Sequence, residues 1–349
     1  MNRIQTITAA DQLAYKAAGE RWNSIAKPIG SFGLLEHAVQ KLAAIQGTPD
    51  VCINKRAAVI FCGDHGVVAE GVTQCGSDVT AKCADAIAEG KSNINALADT
   101  YRAEVFAVDV GTAFPCCSKN IIRMHIADGT QDITKGPAMT REQAFAAVRA
   151  GMDTAERMKK NGMQILIAGE MGIGNTTAAA AIASVLLGLP AEQVTGKGAG
   201  LSAEGLRRKI SAVKRAIAVN QPDPDDPLAV LQTVGGFEIA AMTGLFLGGA
   251  IYQIPVIIDG VISAASAALA YKWNPVCAQY LFASHCSGEP AAKGLLDLIG
   301  LRAVIDAELR LGEGTGGILL LPLLDGALAL YRNAHRFSDA NIERYVPLT

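Results

Sequence analysis

The chain has 349 residues, half of them hydrophobic and 18% charged, with a formal net charge of −2. That balance offers no general attraction to nucleic acid or to an anionic membrane surface, so a small ligand is the expected partner. The mean hydropathy of +0.25 points either to Ala/Leu-rich helices packed on a sheet or to surface covered by another subunit.

Residues 1–50 read as two helical stretches flanking KPIGSFGLLE, punctuated by Pro28, Gly30 and Gly33. With residues 333–349 they are expected to form a small helical subdomain beside a large α/β domain over 51–332. In that large domain KRAAVIFCGDH, AEVFAVDVGT, MQILIAGEMG and IPVIIDGVI each read as a buried strand ending in Gly or Asp. Helix-like segments such as TTAAAAIASVLLG and SAASAALAYKW follow them. The alternation predicts a Rossmann-like parallel sheet flanked by helices. Such sheets bind ligands at the carboxyl ends of their strands, which singles out Asp64, His65, Asp109, Glu170 and Asp259. NQPDPDDP is a turn-rich connection.

No uninterrupted apolar stretch reaches the roughly 18–20 residues of a membrane span; VIIDGVISAASAALAYK, for example, is cut by Asp259 and Gly260. MNRIQTITAADQLAYK has no basic segment leading into an apolar one, so a cytoplasmic protein is expected. The eight cysteines form no CxxC pair and are expected to be reduced thiols. A metal site from Cys62, His65, Cys75 and Cys83 matches no standard zinc spacing, and no metal is expected.

Four segments could carry chemistry. In ILIAGEMGIGNTTAAAAIA, Gly172 and Gly174 precede a helix start that Asn175 or Thr176 could cap. Its free N–H groups suit a phosphate or carboxylate, although a tight strand-to-helix turn is the plain alternative. Glu170, directly after a buried strand, needs a partner or a ligand. The segment is neither a Walker A loop nor GxGxxG, which weakens an ATPase or a nucleotide-binding oxidoreductase. TGKGAGLSAEGLRRK is a second glycine loop, running into Arg207, Arg208 and Lys209. These are either a charge source for a phosphate ester or a solvated basic face. Asp64 and His65 could be a structural hydrogen bond or a dyad, and no GxSxG elbow accompanies them. In LRLGEGTGG, Gly312 and Gly314 let the backbone approach a ligand, and Glu313 is either a helix-terminus charge or a base.

Ten segments in order, KPIGSFGLLE, GDHGVVAEGV, DVGT, KGPAMT, GEMGIGNTTAAAA, NQPDP, VGGFEIAAMTG, IIDG, SHCSGE and LRLGEGTGG, together resemble the CobT family of nicotinate-nucleotide:dimethylbenzimidazole phosphoribosyltransferases. The resemblance spans nearly the whole chain. It implies transfer of the 5-phosphoribosyl group of nicotinate mononucleotide to the aromatic lower-ligand base of a cobamide, with inversion from β to α and without cofactor. It further implies Glu313 as general base, Glu170 assisting, phosphate contacts at the Gly172 loop and Lys209, Ser287 in a substrate-contacting segment, and a dimer that is homo- or heterodimeric. One departure stands out. After GVVAEGV the benzimidazole-using pattern has a serine and, eight residues on, a glutamine; here those positions are Cys75 and Cys83. Thiols hold an azole nitrogen weakly, and the family includes heterodimeric enzymes acting on phenol or p-cresol. The expected acceptor is therefore a phenol or a benzimidazole, with a weakly active or noncatalytic partner subunit as the competing reading.

Overall fold

The structure, a computed structural model, describes residues 2–345. Six strands form a single sheet: β1 Arg56–Gly63, β2 Glu104–Gly111, β3 Ile122–Arg123, β4 Ile165–Met171, β5 Val256–Ile258 and β6 Leu281–Ala283. All pairings are parallel and the order is β3-β2-β1-β4-β5-β6. The four strands legible in the sequence are β1, β2, β4 and β5. β1 is buried along its whole length, as a strand covered on both faces must be. β3 and β6, with two and three residues, are too short to leave a pattern.

Chain order reverses between β1 and β4, the switch point at which a doubly wound sheet is expected to open a crevice. Register sets Phe61 against Glu170 and Cys62 against Met171. The helices Asn175–Leu187 and Val261–Trp273 follow β4 and β5 as predicted. Beneath the sheet, the helix Phe237–Ile251 is buried except at its last residue and packs on β1, β2 and β4.

The helix Thr315–Asn333 qualifies the expectation about membrane spans. Among the described residues it is long and apolar enough by composition to cross one, yet 56% of its apolar window is buried inside the protein. It packs on β4 and on the helices Leu34–Gln46 and Asn93–Tyr101. Asp325 interrupts it and accepts a 2.9 Å hydrogen bond from Arg56 at the start of β1. It is a core helix.

The N- and C-terminal segments meet one another. Ile25 bridges Arg336, and Ala26 N–H donates to the His335 carbonyl at 2.9 Å. The buried Trp22 ring lies 5.0 Å from that of Tyr331. Residues 1 and 346–349 of the expected subdomain lie outside the described residues.

Candidate active site

The carboxyl ends of β4, β5 and β6 open into a cavity of about 220 Å³. Its walls are the loop after β4 (Glu170 to Thr176), the turn after β5 (Asp259 to Ser263), the loop after β6 (His285 to Glu289) and the segment Arg310 to Glu313, with Gly198 and Ala199 closing one side.

Glu170, the penultimate residue of β4, is buried in this wall. Burial first, then the charges of Asp259 and Glu238, push its carboxyl up to about 8, against a hydrogen bond from Asn175. That bond corrects the capping expectation. The helix Asn175–Leu187 is capped by Gly174, whose φ of 100° is left-handed, and it has no side-chain cap. Asn175 sits one residue inside the helix, with its amide turned to Glu170.

Glu313 occupies an unusual backbone stretch: Gly312, Glu313 and Gly314 have φ of 86°, 59° and 81°. A glutamate in the left-handed region is strained, and such strain persists only where the surroundings impose it. Asp259 imposes it here. Its carboxylate accepts from Gly314 N–H at 3.1 Å and Gly317 N–H at 3.0 Å, holding the first turn of the helix Thr315–Asn333 against the end of β5. The Glu313 side chain is thereby turned across to the start of another helix, Asn93–Tyr101. It accepts from Asn93 Nδ2 at 3.2 Å and from Ile94 N–H at 3.4 Å. The carboxylate stands at a helix N-terminus and also lines the cavity.

Gly169 in β4 lies directly under this loop. A Cβ there would collide with Ile60 Cδ1 and come within 2.9 Å of Gly314 N. Gly169→Ala should cost about 1–3 kcal/mol of stability by overpacking and displace the loop at Glu313. Urea denaturation and a crystal structure of the variant check both.

Lys209 does not lie on a solvated face. It is fully buried, and its Nζ donates to Thr176 Oγ1 at 2.7 Å and to the Gly196 carbonyl at 3.1 Å. Burial lowers its pKa to about 8, against the opposing charge of Glu289. Arg208 does face outward, toward Glu204 and the Gly71 carbonyl. Glu289 accepts from Gly198 N–H at 3.0 Å, pinning the second glycine loop over the ammonium. Ser287, nearly buried, lines the cavity.

Cys75 and Cys83 are not in the cavity wall. Cys75 is exposed in the loop before the helix Asp78–Ala88, and Cys83 is half-buried within it. Burial, then the charge of Glu313 and the Cys75 thiol, push the Cys83 thiol up. Next to Cys75, Gln74 Nε2 donates to the Ala199 and Gly200 carbonyls at 3.1 and 2.7 Å, tying this loop to the one over Lys209.

Asp64 and His65 are not a dyad. Asp64 accepts from Thr80 Oγ1 at 2.5 Å and Ala113 N–H at 2.8 Å, and His65 pairs with Glu238. Asp109, near the end of β2, accepts from Gly111 N–H and Thr112 N–H and pairs with His125, outside the cavity wall. Sequence reasoning missed the parts of Glu289 and Arg310 in the wall. Both stand inside quoted motifs, but nothing in their spacing says which way they point. For Asp259 it found the strand-end position and missed the cap it provides.

A parallel α/β sheet whose carboxyl-end cavity is lined by carboxylates and by glycine loops, one of them lying over a buried lysine, defines an enzyme for a small phosphorylated ligand. A family model described as "Phosphoribosyltransferase" matches residues 7–342. The nicotinate-nucleotide–dimethylbenzimidazole phosphoribosyltransferase of Acetivibrio thermocellus is 43% identical over 327 residues, covering 94% of this chain and 93% of its own. That of Ruminiclostridium cellulolyticum is 43% identical over 345 residues, covering 99% and 98%. The crystal structure of CobT from Thermus thermophilus matches with a TM-score of 0.90 at 39% identity, covering 95% of this chain and all of that one. The chain belongs to the CobT family of phosphoribosyltransferases and is an enzyme that transfers a ribosyl phosphate group.

Proposed function

We propose that the enzyme transfers the 5-phosphoribosyl group of nicotinate mononucleotide to an aromatic lower-ligand base of a cobamide, releasing nicotinate and forming an α-riboside 5′-phosphate. The observation that carries this is the meeting of Glu170, at the end of β4, and Glu313, before the helix Thr315–Asn333, in a cavity bordered by the loops over Lys209.

Nicotinate leaves readily because the pyridinium nitrogen of the nucleotide is already cationic. The enzyme must hold the phosphate, align the acceptor opposite the leaving ring and remove the acceptor's proton. Lys209 and the glycine loops at Gly172 and Gly198 serve the phosphate. Glu313 removes the proton. Glu170 and Asp259, on the wall between them, face the ribose, where positive charge develops as the bond to nicotinate breaks.

A benzimidazole acceptor is supported by the names of the relatives, which specify dimethylbenzimidazole. A phenolic acceptor is the second reading, favoured by the thiols of Cys75 and Cys83, the second of which feels the charge of Glu313. Competition of dimethylbenzimidazole against phenol and p-cresol separates them. The thiol pair predicts measurable turnover of the phenols; exclusive use of the benzimidazole would sink the phenolic reading.

The dimer belongs to the same proposal. Leu311, 57% exposed next to Glu313, supports a second chain over the acceptor side, identical or homologous. The meeting of the terminal segments supports their reading as one small helical subdomain.

A further inference from the structure

The topological switch point of this sheet, between β1 and β4, is not where the cavity opens; the cavity lies toward β5 and β6. The switch point is instead filled from below by Glu238, the second residue of the helix Phe237–Ile251. Its carboxylate lies 2.6 Å from His65 Nε2, and both side chains are within 1% of complete burial. Glycines border it above. A Cβ on Gly63 would sit 3.2 Å from Glu238 Oε2, and one on Gly172 would sit 3.4 Å from Oε1. Among the described residues, Glu238 Oε2 and His65 Nδ1 have no hydrogen-bond partner. Two buried ionisable groups left partly unsatisfied are costly, and neither belongs to the catalytic arrangement described above.

Gly172 is two residues beyond Glu170 and begins the glycine loop of the cavity. The pair therefore stands behind the same wall that Glu170 faces from the front. We propose that His65 and Glu238 are a positioning pair for the donor side of the cavity, acting on Glu170 and its glycine loop through the bare wall formed by Gly63 and Gly172. This rests on the reading that Glu170 faces the donor.

The groups facing Glu170 are Asp259 at the end of β5, Glu313 before the helix Thr315–Asn333, the Asn175 amide, the Cys62 thiol in β1 and Glu238 below. Those facing His65 are Glu238 and Asp64. Burial disfavours an imidazolium at His65. The charge and hydrogen bond of Glu238, with Asp64, outweigh it and hold the ring above its usual value. Glu238 presents its carboxyl oxygens to the glycine wall behind Glu170, and its charge helps to hold the Glu170 carboxyl above its usual value.

The test is an infrared titration of protein carrying carbon-13 carboxyl-labelled glutamate, with the Glu170 band identified by its loss in Glu170→Gln. Glu238→Gln keeps the shape and removes a negative charge, so the Glu170 midpoint should fall by on the order of one pH unit. Glu238→Asp keeps the charge and should leave the midpoint within a few tenths of a unit. An unchanged midpoint in Glu238→Gln overturns the proposal, because a purely structural role predicts it. Should that variant not fold, nitrogen-15 spectra of His65 in the wild type decide. A ring that titrates above an ordinary imidazole is expected, and one that titrates below it overturns the proposal. None of these readouts uses turnover, so their failure is distinct from failure of the phosphoribosyl-transfer reading.

Discussion

Glu313→Gln should lose turnover by about 10²–10⁴-fold, the usual contribution of a positioned general base, while nicotinate mononucleotide binds within a few-fold of wild type. Glutamine has the same shape and backbone preferences, so the strained loop and its anchoring by Asp259 are kept. Its carbonyl can still accept from Ile94 N–H, one of the two bonds Glu313 makes. Only the capacity to take a proton is removed. The demand is greatest for a phenol, whose hydroxyl with pKa about 10 is a poor nucleophile until deprotonated. The loss should therefore be larger with phenol than with dimethylbenzimidazole. Stopped-flow or calorimetric binding of the donor beside steady-state kinetics separates the base from a mere loop anchor, because a loop anchor would weaken binding as well.

Lys209→Met should raise the donor KM by about 10–100-fold, the equivalent of losing one charge-assisted hydrogen bond of about 1.5–3 kcal/mol. The effect on kcat should be smaller. The variant also has a pH signature. With a folded pKa of about 8 below the roughly 10.4 of a free lysine, the unfolded chain binds the extra proton between those values. The wild type should therefore gain stability relative to the variant as pH rises through that window. Binding runs the other way. A phosphate favours the ammonium form, so the wild-type donor KM should climb above about pH 8 while that of Lys209→Met stays flat. Urea midpoints and KM measured across this range test both signs.

The parts of this molecule that sequence could show are those written in local pattern. The buried runs of β1, β2, β4 and β5 were legible because each is apolar and ends in Gly or Asp, whereas β3 and β6 are held by neighbours and carry no run of their own. The positions of Glu170 and Glu313 were legible as carboxylates among glycines. Their orientation was not. That Glu313 turns to Asn93 and Ile94 depends on Asp259 gripping Gly314 and Gly317, a contact between residues more than fifty apart. Lys209 looked like one of three basic residues on a helix face, and only the packing of the loop at Gly196 shows which one is buried. The His65–Glu238 pair joins residues 173 apart in the chain, and no spacing rule brings them together.

The central claim is that this cavity performs an inverting phosphoribosyl transfer. Purified protein incubated with nicotinate mononucleotide and dimethylbenzimidazole, followed by proton NMR of the anomeric centre, tests it most directly. One nicotinate should be released for each α-riboside phosphate formed. Release of nicotinate without a base-linked riboside, or a β-anomer, would contradict the account.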